Sequence, residues 1–163
     1  MDLNAVEESL ETLERVHAFV RRIEEKELPD HTLTLRYRFV HVLYQNTLHA
    51  SLRATRKVEL SRTVAQTIED LYGEQRESRA NELAVLWEYA REYARAADYF
   101  RVAAQHAVQV FASQESVTLA RRGIASLQHL PDSRERRAQE LFLQVVLGNS
   151  LMATRGFAAP ELE

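Results

Sequence analysis

The chain contains no cysteine among its 163 residues. That excludes disulfides, thiolate zinc sites and cysteine nucleophiles, and it says little about redox compartment. Glycine (4) and proline (3) are both scarce. A β-sandwich or a dinucleotide-binding fold needs many turn glycines, so this composition favours long helices joined by short loops. No apolar run approaches the ~18 residues of a membrane span. The start, Met1-Asp2-Leu3-Asn4, lacks the basic and apolar stretches of a signal peptide. Neither sign of charge dominates, since the formal net charge is −3. Nothing global therefore attracts nucleic acid or an anionic membrane. Lysine is confined to Lys26 and Lys57, and the abundant arginine is read as compositional bias rather than as a binding site.

What is present is the profile of a globular protein, 45% hydrophobic and 28% charged. A chain of this length can bury roughly 70% of its unfolded surface. A soluble, cytoplasmic protein is expected.

Asn4 followed by Glu7 has the spacing of a capping box and predicts a helix over about 5–18. Val6, Leu10, Leu13 and Val16 or His17 give it an apolar stripe. The period then changes. Leu33, Leu35, Tyr37 and Phe39 alternate with Thr34, Arg36 and Arg38, the pattern of a half-buried strand. Residues 19–27 are its antiparallel partner with weaker alternation, and Pro29-Asp30-His31-Thr32 supplies the turn.

Helical spacing resumes with Val40, Leu43, Tyr44, Thr47, Leu48 and Leu52. After a break near Thr55, a second helix carries Val58, Leu60, Val64, Ile68 and Leu71 and ends at Gly73. Further helices are expected over 79–93, 95–111, 113–129 and 133–154. Pro131 stops the third of these, and Asp132 with Glu135 caps the fourth. The fold class is therefore mostly α, a helix and β-hairpin followed by helical hairpins, with domains expected at 1–52 and 53–163.

Residues 90–107 interleave seven alanines with Tyr93, Tyr99 and Phe100, a mixture of small and large side chains that suits closely packed helices. This stretch resembles a tetratricopeptide repeat. Leu83-Ala84, Trp87, Ala96, Phe100 and Ala103 fit the repeat's offsets. Arg91 stands where the repeat usually turns with glycine, Val108 replaces the expected proline, and no clean second copy follows.

A broader resemblance covers nearly the whole chain. Leu28-Pro29-Asp30, Arg36-Tyr37-Arg38-Phe39-Val40-His41-Val42-Leu43-Tyr44-Gln45 and Leu130-Pro131-Asp132-Ser133 through Leu151-Met152-Ala153-Thr154-Arg155-Gly156-Phe157-Ala158-Ala159-Pro160-Glu161 resemble segments of bacterial STAND-class signalling ATPases. The resemblance implies that residues 1–40 are the last helix and wing of a winged-helix subdomain, with the first helical repeats after them. It also implies that the chain is a piece of a longer protein. No Gly-x-x-x-x-Gly-Lys-Ser/Thr loop occurs here.

No nucleophile elbow or paired-acid motif stands out, so no catalytic, metal or cofactor residue is named. His41 and His49 are eight apart, whereas ligands on one helix come three or four apart. The run Arg53, Arg56, Lys57 and Arg62 reads as a solvated junction paired with Glu59 or Glu69. The first helix carries Glu7, Glu8, Glu11 and Glu14 against Arg15 alone, which repels phosphate.

The expected role is a non-catalytic interaction and regulatory segment that binds a protein, a peptide or neighbouring domains. Asn81, Val85, Glu88 and Tyr89 would line the concave face of the repeat. The alternative for Val85 and Tyr89 is packing on a neighbouring helix. Self-association through 133–157 or through the first helix is also expected, and the alternative function is a winged-helix DNA-binding fragment.

Overall fold

The computed structural model describes residues 3–155, with the side chains of 5–154. The described chain is mostly helical, with one antiparallel two-stranded hairpin. It divides into two compact units, Met1–Lys57 and Val58–Glu163. The division falls five residues after the expected boundary, inside a helix.

The first unit opens with α1, Leu3–Arg15. The side chain of Asn4, and with it the Asn4–Glu7 box, lies outside the described residues. The helix ends where Ala18 turns to φ 52° and the Phe19 amide donates back to the Leu13 carbonyl. Strands β1 (Val20–Glu27) and β2 (Leu33–Phe39) follow, paired from Val20↔Phe39 to Glu27↔Leu33. The turn is the expected one. The Asp30 carboxylate accepts from the Thr32 amide at 3.0 Å, and His31 takes φ 65°. That amide also holds the Asp30 carboxyl below its ordinary pKa.

The register breaks at Ile23, between Arg22 and Glu24. This bulge resets the parity of β1. Beyond it Glu25 and Glu27 stand opposite Leu35 and Leu33, on the apolar face of β2. The weak alternation of β1 has this cause.

Helix α2, Val42–Ser51, begins at His41, whose Nδ1 accepts from the Leu43 amide at 3.1 Å. Its expected apolar face is solvent-facing, and no residue of α2 is buried. Tyr44 meets the Phe19 ring at 4.8 Å between centroids. Among the described residues of this unit, Val20 is the one buried apolar side chain.

The second unit has a continuous core. Helix α3 (Ala54–Tyr72) ends at Gly73, which takes φ 47° as a helix-terminating residue does. A 3-10 segment, Gly73–Arg79, then leads into α4 (Ala80–Tyr89), α5 (Tyr93–Gln109), α6 (Ser113–Leu127) and α7 (Arg134–Arg155). Helix α5 packs extensively on α4 and α6, and α6 on α7.

Leu83, Ala84, Trp87, Ala96, Phe100 and Ala103 are each at most 5% exposed. Alanines on α5 permit close helix approach, and Phe100 fills the space between layers. Gly123 on α6 serves the same end, since a Cβ there would lie 2.8 Å from Leu143 Cδ1 and 3.1 Å from Phe100 Cβ. The N-cap of α7 is Ser133, one residue after the expected Asp132. Its Oγ accepts from the Arg136 amide at 3.1 Å, while Asp132 faces Arg137.

Candidate functional site: the face of α4 and α6

Asn81, Val85, Glu88 and Tyr89 occupy positions i, i+4, i+7 and i+8 of one helix, so the register of α4 alone puts them on one face. Helix α6 supplies the other wall. Asn81 Nδ2 donates to Glu115 Oε1 at 3.1 Å, and Arg122 Nη2 donates to Glu88 Oε2. Both pairs join residues 34 apart. A constant offset between facing positions is what stacked equivalent helices produce.

Arg122 does more than pair with Glu88. Its guanidinium lies over the ring of Phe100, 4.8 Å from the centroid, and that ring is wholly buried. The cation thus sits where the core meets the face. Val85 is half-buried and Tyr89 is 45% exposed. Tyr89 therefore keeps much of its ring in solvent, while Trp87 beside it is core at 1%. A shallow cleft lined by Ser78, Arg79, Asn81, Glu82, Val85 and Leu86 runs along the same helix.

Glu115 and Arg122 were not legible from the sequence as parts of this face. The signal that finds them is their spacing of 34 from Asn81 and Glu88. Phe111 was missed as well. It takes φ 58° in the turn between α5 and α6 and is 92% exposed. Val108 and Val110 beside it are also exposed. Arg91 holds the matching left-handed position, φ 60°, between α4 and α5, the place where the repeat pattern expects glycine.

The remaining polar residues have structural assignments. Glu69 of α3 accepts from Trp87 Nε1 at 3.0 Å and from the Tyr99 hydroxyl at 2.8 Å, and Arg95 approaches it at 3.4 Å. Arg95 also covers the Trp87 ring at 4.4 Å. Burial first, and then the hydrogen bond to Glu69, push the Tyr99 phenol up to about 12.

Of the run at residues 53–62, Arg62 pairs with Glu92 at 2.9 Å. Glu69 is already engaged by α4 and α5. His41 serves as a helix cap, and the His17 ring lies against Phe19 at 5.5 Å. Among the described residues, no cluster of three or more His, Cys, Asp or Glu has a metal-holding arrangement, and no helix is long and apolar enough to cross a membrane.

Scans of protein-family models, curated proteins and solved structures return no match to this chain.

Proposed function

We propose that the chain is a non-catalytic, cytoplasmic interaction and regulatory segment of a larger STAND-class signalling ATPase. It relays between the ATPase module and a helical sensor array. In this reading α1 and the hairpin are the last helix and wing of a winged-helix subdomain. The helices from α4 onward are the first tetratricopeptide-like repeats, and the α4–α6 face holds a protein or peptide.

The observation that carries the reading is the 34-residue pairing of Asn81 with Glu115 and of Glu88 with Arg122. Thirty-four residues is the length of a tetratricopeptide unit. Burial of every residue that fits the repeat's offsets supports it. In such folds the face formed by successive first helices is concave and binds partners. Tyr89 has the chemistry of an interface anchor, since a large ring with a polar tip gains contact area at small entropic cost.

The test is a photo-crosslinking residue at position 89 of the chain in its native context. A discrete protein adduct is expected, lost when Val85→Asp roughens the face and absent from the same label at Gln105 of α5. Equal labelling from both positions contradicts the reading.

One observation favours a second reading, a DNA-binding winged-helix fragment. Arg21, Arg22 and Arg38 line a cleft with Ile23, Phe39 and Val40. Against it stand the four glutamates of α1 and the Glu24–Arg36 pair at 3.0 Å. A salt-dependent gel shift separates the two readings. Tight duplex binding abolished by Arg36→Glu with Arg38→Glu would favour the second.

A further inference from the structure

The hairpin has two unlike faces. Its register puts Arg21, Glu24, Lys26, Arg36 and Arg38 on one of them. Leu33, Leu35, Tyr37 and Phe39 stand on the other, beside Val20, Arg22, Glu25 and Glu27. A sheet face of this kind becomes stable when another layer covers it. Here α1 covers only part. A groove remains between α1 and the hairpin, with Val6 and Leu10 from the helix and Leu33, Leu35 and Tyr37 from the strand as its apolar lining. Its volume is about 560 Å³. Leu33 is 72% exposed and Val6 37%.

The charges along the groove are of one sign. The ionisable residues that line it, Tyr37 apart, are Glu7 and Glu25. Glu14 of α1 accepts from the Arg22 amide at 2.8 Å, which occupies a backbone donor beside the bulge. The phenol of Tyr37 is raised above its ordinary pKa, by burial first and then by Glu14, with Glu11 and Glu7 adding to it and Arg22 opposing. Acidic side chains thus outnumber basic ones around the Tyr37 phenol.

We propose that this groove takes a basic amphipathic helix from a protein partner. The apolar stripe of such a helix would cover Val6, Leu10, Leu33, Leu35 and Tyr37, and its Lys or Arg residues would face Glu7 and Glu25. Leu33 to Tyr37 spans about 13 Å of strand, which about nine residues of helix cover. The lining groups are side chains of a sheet face and a helix face, so a helix fits here better than an added strand, which needs unpaired backbone groups. Nucleic acid is disfavoured because the groove repels phosphate.

The groove belongs to the first unit, whereas the Tyr89 adduct reports on the second, so either proposal can fail alone.

The probes are two fluorescent synthetic helices of about three turns, one built of Leu and Lys and the other of Leu and Glu. Each is titrated by anisotropy into the whole chain. The Leu/Lys helix is expected to bind and the Leu/Glu helix not to. Glu7→Lys with Glu25→Lys should weaken the first at least about tenfold, because opposite charges become like charges across the contact. Both glutamates are exposed, so the variant keeps its fold, which circular dichroism checks. A second variant, Leu35→Asp, should also abolish binding.

Equal binding of both helices, binding of neither, or indifference to the charge reversal overturns the proposal. So does a wild-type dimer, seen by light scattering, that Glu7→Lys with Glu25→Lys dissociates, because the occupant is then a second copy. Duplex DNA that competes with the Leu/Lys helix overturns it as well.

Discussion

Phe111 is the residue whose placement local energetics explain least. A bulky side chain in the left-handed region costs about 1–2 kcal/mol, and at 92% exposure its ring gains little in return. Glycine relieves the strain but loses more chain entropy on folding. Phe111→Gly should therefore stabilise the protein by about 0.5–1 kcal/mol, read as a raised thermal midpoint. A lowered midpoint would mean that the ring packs.

Gly123 is the opposite case. Gly123→Val puts atoms where Leu143 and Phe100 already stand and should cost about 1–3 kcal/mol by overpacking. Chemical denaturation measures it.

Glu69 holds two donors of the core edge. Glu69→Ala leaves Trp87 Nε1 and the Tyr99 hydroxyl without their acceptor and should cost about 1–3 kcal/mol. Trp87 is the one tryptophan, so a red shift of its emission reports the change directly. Tyr99 also ties stability to high pH. Its phenol titrates at about 12 in the fold against an ordinary 10.0. The folded state binds more protons between those values, so this contribution is complete below pH 10 and is lost as pH rises towards 12. Glu69→Gln should bring the phenol only part of the way down, because burial is the larger cause, and tyrosinate absorbance follows it.

At the scale of elements, period and punctuation carried most of the fold. Strand β2 was legible because Leu33, Leu35, Tyr37 and Phe39 alternate without interruption, whereas the bulge at Ile23 hides the parity of β1 from any fixed period. Helix α3 was legible through Gly73. The 3-10 segment after it was not, since Gly73–Arg79 carries no apolar pattern.

That Asn81, Val85, Glu88 and Tyr89 share one side of α4 follows from their spacing, whereas the α6 residues that meet Asn81 and Glu88 were not legible. The loop joining α6 to α7, residues 128–133, is longer than the turns at 90–92 and 110–112. It starts α7 41 residues after α5, whereas α6 starts 33 after α4, so no single sequence offset relates the two hairpins. The expected apolar face of α2 shows the limit of periodicity. Spacing identifies a stripe, and it does not say what covers it.

At the scale of the whole molecule the two units differ in how they are held. The second has a core running from Ala65 to Val146, and the first has Val20 alone buried among its described apolar residues. Amides of α4, α5 and α6 should exchange with solvent through global unfolding, and those of the hairpin through local opening. Hydrogen exchange read by mass spectrometry should show residues 20–39 deuterated while 93–127 stay protected. Equal protection in both would mean that the first unit is held by more than its own side chains.

The same measurement tests the proposal that the α4–α6 face binds a protein. Exchange is compared between the free chain and the chain joined to the partner captured through position 89. Added protection confined to residues 80–89 and 113–127 is expected. Protection centred elsewhere in the second unit, or none, would contradict it.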